Sequence, residues 1–144
     1  MMIPQPISTR PLAVLAVAAL LAMPAGAAQQ SADRPERPKL SLRSNPAFAF
    51  APALITLTAE LKDGDNDYAE FYCASIEWDW DDGTRSEAAD DCDPYEAGKS
   101  EIRRRYATQH RYNIAGVYDV QFKLKQRGKV VAAVSRRITV RPGR

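Results

Sequence analysis

Apolar and polar residues alternate with a period of two along most of the chain after residue 50, the signature of half-buried strands. From Ala53 to Leu61, Ile55, Leu57, Ala59 and Leu61 share one face, and Thr56, Thr58 and Glu60 the other. Asp63–Asp67, reading Asp-Gly-Asp-Asn-Asp, breaks that strand. A second strand is predicted over Glu70–Trp80, with Ile76, Trp78 and Trp80 facing the core and Glu77 and Asp79 facing away. Asp81-Asp82-Gly83-Thr84 turns it into a short strand around Thr84–Ser86, and a long polar loop follows. Ser100–His110 reads as another strand, with Ile102 and Tyr106 inward. Tyr118, Val120, Phe122 and Leu124 then alternate with Asp119, Gln121, Lys123 and Lys125. Gly128 marks a hairpin turn, and the last strand carries Ile138 and Val140 on one face. No stretch has a convincing helical period. About seven short strands with regular turns predict an all-β, antiparallel, immunoglobulin-like β-sandwich.

The first fifty residues follow a different logic. Arg10 precedes the apolar run Leu12–Met23, and small residues follow at Ala25, Gly26 and Ala27. A positive flank, a short apolar core and a small-residue site define a secretory signal over residues 1–27, with Ala28 as the neighbouring cleavage option. The alternative is an uncleaved N-terminal anchor, although the run is shorter than the about 20 residues that a membrane span needs. Residues 28–50, with Pro35, Pro38 and Pro46, read as a proline-rich linker holding a short edge strand near Leu40–Arg43. The folded domain is placed at 51–142. The mature protein is expected to be secreted or periplasmic and not embedded in a membrane.

Several of these segments occur in an order that suggests a family. Trp78-Asp79-Trp80-Asp81-Asp82-Gly83-Thr84 resembles the tryptophan-aspartate signature of polycystic-kidney-disease (PKD) domains. Ala51–Leu61 is similar to that family's first core strand. His110, Tyr112, Gly116 and Tyr118 resemble its second hallmark, and Ser135–Val140 its closing strand. The likeness covers roughly residues 51–142. It departs at Asp81, where the family usually has glycine and therefore tolerates a positive φ. Cys73, Cys92 and the acidic loop between strands also lie outside the usual pattern. The resemblance implies a β-sandwich module that binds proteins or polysaccharides, or acts as a spacer.

Cysteine count and charge sharpen the picture. Two cysteines in an exported chain favour one disulfide, Cys73–Cys92. With His110 the sole histidine, a structural zinc site has too few ligands. The formal net charge is only +2, yet Glu60–Glu101 holds fifteen acids against Lys62, Arg85 and Lys99. From Ile102 onward twelve bases face the single acid Asp119. The bland consequence is neutralisation between strands, with Arg103, Arg104 and Arg105 pairing with acids. The alternative is charge-driven self-association. Export argues against a nucleic-acid partner.

Asp63, Asp65 and Asp67 at alternate positions, with Asp81 and Asp82 from the signature turn, form a candidate calcium set, since calcium takes six to eight oxygens. Some PKD modules resemble this arrangement. The loop is not an EF-hand, because Tyr68 and Ala74 stand where that loop needs glycine and glutamate. Otherwise these acids serve turns and solvent. Trp78 and Trp80 have core parity rather than that of an exposed sugar platform. Asp79 is expected to be solvated or paired with an arginine on a neighbouring strand. Tyr112 is expected to pin a corner through its hydroxyl, and His110 to be structural, since no nucleophile motif accompanies it. No other cofactor and no catalytic residue is expected. The preferred reading is a non-catalytic module that binds protein or polysaccharide through Asp63–Asp67 and Glu87–Glu96. The alternatives are a self-associating envelope protein and a small carboxylate-based hydrolase. The hydrolase requires two facing carboxylates in a groove.

Overall fold

The computed structural model describes residues 35–144. The signal segment and the start of the linker lie outside the described residues. Eight strands form two sheets: β1 (Lys39–Asn45), β2 (Phe48–Phe50), β3 (Ala53–Lys62), β4 (Ser75–Asp79), β5 (Arg85–Ala88), β6 (Arg105–Tyr112), β7 (Gly116–Gln126) and β8 (Lys129–Arg141). One sheet has the order β1-β3-β6, the other β2-β8-β7-β4-β5. The core lies between them, as the alternation dictates. Ile55, Leu57 and Ala59 of β3 face Val120, Phe122 and Leu124 of β7 and Ile138 of β8, all fully buried. The fold is an all-β sandwich.

Four expectations about element boundaries need correction. Residues 39–50 are not linker: the edge strand expected near Leu40–Arg43 is the longer β1, which pairs antiparallel with β3 along its whole length, and β2 pairs with β8. Leu42 enters the core, so the folded unit begins well before residue 51. The β2–β8 pairing is parallel, which a purely antiparallel sandwich does not include. The second strand starts at Ser75 rather than Glu70. Ala69–Phe71 forms a 3-10 turn, and Cys73 has φ of 51°, which no strand accommodates. The strand predicted from Ser100 starts at Arg105, although Ile102 and Tyr106 are both buried as expected.

The turn chemistry follows the residues that carry it. Arg127 and Gly128 both have positive φ, 50° and 78°, closing the two-residue β7–β8 hairpin. Asp81 has φ of 58°, so the aspartate adopts the conformation that the resemblance associates with glycine. Charge segregation becomes cross-strand pairing. Arg85 binds Asp79 at 2.9 Å, Arg105 binds Glu60 at 3.3 Å, and Arg137 binds Asp119 at 2.9 Å. No described helix is long and apolar enough to cross a membrane.

Candidate functional site

The signature residues build a buried stack at one end of the sandwich. Trp78 and Trp80 are 4% and 2% exposed, and their rings lie parallel with centroids 5.4 Å apart. His110 of β6 stacks on Trp80 at 4.3 Å, joining the two sheets. Its Nε2 meets Asp82 Oδ2 at 2.7 Å. Asp82 also accepts the Thr84 backbone N–H at 3.0 Å and the Thr84 hydroxyl at 2.5 Å. Burial opposes the Asp82 charge, but the Thr84 and His110 hydrogen bonds outweigh it and hold the carboxyl below its ordinary range. Tyr112 donates its hydroxyl to the Trp80 carbonyl at 3.1 Å, and burial pushes that hydroxyl up. Tyr112 therefore ties sheet to sheet, while the local corner is pinned by Tyr118, whose hydroxyl reaches the Ile114 carbonyl at 2.7 Å. A Cβ on Gly116 would crowd that Tyr118 ring at 3.2 Å. Gly83, with φ of 86°, completes the turn.

The five candidate calcium ligands are not brought together. Asp65 accepts the Glu36 backbone N–H, and Asp67 accepts the Gly98 N–H at 2.9 Å. Asp81 reaches the Asp119 N–H at 2.8 Å, and Asp82 is held by His110. Among the described residues, no three His, Cys, Asp or Glu side chains are placed to hold one metal ion. The oxygens of the Asp63–Asp67 loop instead gather round a guanidinium. Arg104 donates to the carbonyls of Asp63 at 2.7 Å, Gly64 at 2.8 Å and Leu61 at 3.2 Å, and to Asn66 Oδ1 at 2.6 Å. The planar, five-donor guanidinium suits this convergence better than an ammonium would. The expected pairing of all three arginines with acids therefore holds for Arg103, with Asp90 at 3.4 Å, and for Arg105, but not for Arg104. Gly64 is required here, because a Cβ would lie 2.5 Å from the Pro38 nitrogen.

Glu77, read from parity as facing solvent, is only 6% exposed. It lies on the outer face of the five-stranded sheet beneath two lysine side chains. Lys123 Nζ and Lys125 Nζ reach its two oxygens at 2.8 and 2.6 Å. Those hydrogen bonds lower its pKa to about 2.

The remaining feature is the segment 89–104, irregular throughout, between β5 and β6. Cys92 within it is bridged to Cys73. Two tyrosines beside those cysteines fix the loop further. Tyr72 donates its hydroxyl to the Asp93 carbonyl at 3.0 Å, and Tyr95 to the Asp67 carbonyl at 2.6 Å. Their rings lie 5.5 Å apart and border an open cleft of about 540 Å³. Tyr72 and Tyr95 were not singled out from the sequence, and Arg104 was expected only to pair with an acid. An aromatic next to each cysteine, Tyr72 before Cys73 and Tyr95 three residues after Cys92, is the one available signal.

No family model and no curated protein matches the sequence. Among solved structures, the fold is similar to the PKD domain of an M14-like peptidase from Thermoplasmatales archaeon SCGC AB-540-F20. The TM-score is 0.50 at 13% identity, covering 76% of this chain and all of that domain. It is also similar to the CARDB domain of a Pyrococcus furiosus protein in complex with di-metal ions. There the TM-score is 0.46 at 9% identity, covering 75% of this chain and 97% of the other. The first likeness carries the fold: the chain has a PKD-like immunoglobulin-type architecture.

Proposed function

We propose that the protein is an extracytoplasmic, non-catalytic recognition module that binds a protein or polysaccharide through the loop at 89–104. The observation that carries this reading is the loop itself. An irregular segment of that length is uncommon in a small domain and is costly to order unless something holds it in place. Here a disulfide, two tyrosine hydroxyls and the Asp67–Gly98 contact fix it while the side chains of residues 89–99 remain exposed. A rigid loop on a rigid sandwich is how many binding surfaces are built. The disulfide supports an oxidising compartment. The test is retention of native envelope material on immobilised protein. Replacing residues 93–98 with a Gly/Ser segment of equal length should abolish retention while the melting transition persists. Undiminished retention by that variant would refute the assignment of binding to this loop.

A second reading, self-association, is favoured by the outer face of the β1-β3-β6 sheet. Lys39, Arg43, Lys62, Arg105 and Arg111 lie on it beside Glu60 alone, and Lys39 is paired directly opposite Lys62. Like charges placed opposite one another are unfavourable until an acidic surface covers them. Under this reading, sedimentation at low salt should show oligomers that dissociate when the charges are screened. A monomer at every ionic strength excludes it.

A further inference from the structure

The cleft beside the disulfide combines two ring faces with a balanced set of planar polar groups. Tyr95 is 38% exposed and Tyr72 is half-buried. Because both hydroxyls are committed to backbone carbonyls, the rings are fixed before any ligand arrives. Asp93, Glu70, Gln126 and Arg127 line the same space. Glu70 is neutralised by Arg37, and Gln126 donates its amide to the Tyr72 carbonyl, leaving its own oxygen as an acceptor. Neither the Asp93 carboxylate nor the Arg127 guanidinium enters an ion pair with a described residue. One carboxylate and one guanidinium thus remain to engage a ligand, with no net charge between them. A second open cleft, about 400 Å³, shares Tyr72 and Asp93 with the first and adds Glu101 beside the Glu96–Lys99 pair, so the charge-balanced groove is the first cleft alone.

This chemistry discriminates among ligand classes. A polycation would meet Arg127, and a polyanion would meet Asp93, both in the lining of the cleft. A neutral ligand with an apolar C–H face and many hydroxyls satisfies every group at once. Its C–H face covers the tyrosine rings, which carry a large apolar area with little conformational freedom to lose. Its hydroxyls donate to Asp93 and Gln126 and accept from Arg127. The open ends accommodate a chain that continues beyond the groove. We infer that this groove binds a run of neutral sugar residues within a polysaccharide, with Tyr72 and Tyr95 as the stacking surface and Asp93 and Arg127 as the hydroxyl-reading pair. The inference rests on the binding role proposed above and narrows it to one ligand class and one site.

The experiment is calorimetric titration of the disulfide-intact protein with neutral hexasaccharides of the β-glucan, chitin, xylan and mannan types. An anionic uronic-acid hexasaccharide and an oligolysine serve as charge controls. At least one neutral hexasaccharide should saturate. Tyr95→Ala and Arg127→Ala should each weaken it about tenfold or more, whereas Tyr95→Phe, which keeps the ring, should retain most of the affinity. Both alanine positions are exposed, so melting curves near that of the parent protein would separate lost contact from lost fold. Tyr72 is not used, because its ring packs against the core. Saturation by none of the neutral sugars overturns the inference, as does binding that survives Tyr95→Ala and Arg127→Ala unchanged. A preference for oligolysine or the uronic acid over every neutral sugar overturns it too. If the sugars fail but envelope material is still retained through residues 93–98, the general reading stands and a protein partner replaces the polysaccharide.

Discussion

Replacing Glu77 with glutamine keeps the shape of the side chain and removes the charge that two lysines share. In the folded chain the Glu77 carboxyl has a pKa of about 2 against an ordinary 4.5. At about 1.36 kcal/mol per pH unit, a difference of about 2.5 units amounts to about 3 kcal/mol. The group lies on the outer face of its sheet, where water screens the lysines, so about 1–2 kcal/mol is the better expectation. The folded value is the depressed one, so the contribution is complete above pH 4.5 and is lost as the pH falls toward 2. Roughly half or more of it is gone by pH 3. Urea unfolding of the parent and Glu77→Gln proteins at pH 7, 5 and 3 reads this directly. The variant should be less stable by about 1–2 kcal/mol at pH 7 and 5, and by less than half of that at pH 3. Equal stability at pH 7 would refute the reasoning. A deficit that does not shrink at pH 3 would refute it equally, since packing rather than charge would then be responsible.

The Arg104 hub should be intolerant of a conservative change. Arg104→Lys should destabilise by about 2 kcal/mol in urea, because one ammonium cannot serve four acceptors spread in a plane; a value near zero would show that the convergence contributes nothing. Reduction of Cys73–Cys92 should remove about 3 kcal/mol and lower the melting temperature by roughly 10 °C. An unchanged transition would mean that the bridge does not constrain the unfolded chain. A chelator should leave the melting temperature where it is, because the loop oxygens are already held by Arg104 and backbone N–H groups. A fall on chelation, reversed by added calcium, would show that these groups rearrange around an ion.

Parity carried most of the fold. Ile55, Leu57, Val120, Phe122, Leu124, Ile138 and Val140 all point where alternation places them, because one strand face must leave water. The tryptophans, the hairpin at Gly128 and the Asp79–Arg85 pair were legible for the same local reasons. Glu77 was not, because parity decides the face of a sheet but not what covers it. Lys123 lies directly opposite Glu77 only once the β4–β7 register is set, and Lys125 sits next to Ser75 in the same pairing. β1 was legible only in part, as the edge strand near Leu40–Arg43, and β2 was not, because Pro46 and Pro52 flank it and its three residues are too few for a period. The core strands begin late for a further reason. Phe71, Ala74 and Ile102 are buried by irregular backbone, so an apolar residue inside was mistaken for a residue in a strand.

The acidic loops show what carboxylate spacing alone leaves undecided. Alternating aspartates satisfy the first requirement of a calcium loop, but the same oxygens satisfy any donor that arrives. Here the arriving donors are backbone N–H groups and one guanidinium, supplied from Glu36, Gly98 and Arg104, residues 29 to 41 positions away in the chain. Nothing near Asp63 in the sequence announces them. A loop that spends its acceptors on its own chain becomes a clamp: the Asp63–Asp67 turn grips the segment entering β1, the loop at 89–104 and the residues leading into β6. That clamp, with the disulfide, converts a long irregular insertion into a fixed surface. The signature around Trp80 identifies the sandwich by stabilising its interior, where a ligand does not reach. The recognition proposed above therefore draws on what the signature does not specify: the Cys73–Cys92 bridge with Tyr72 and Tyr95 holds a loop in place while leaving Tyr95 open to solvent.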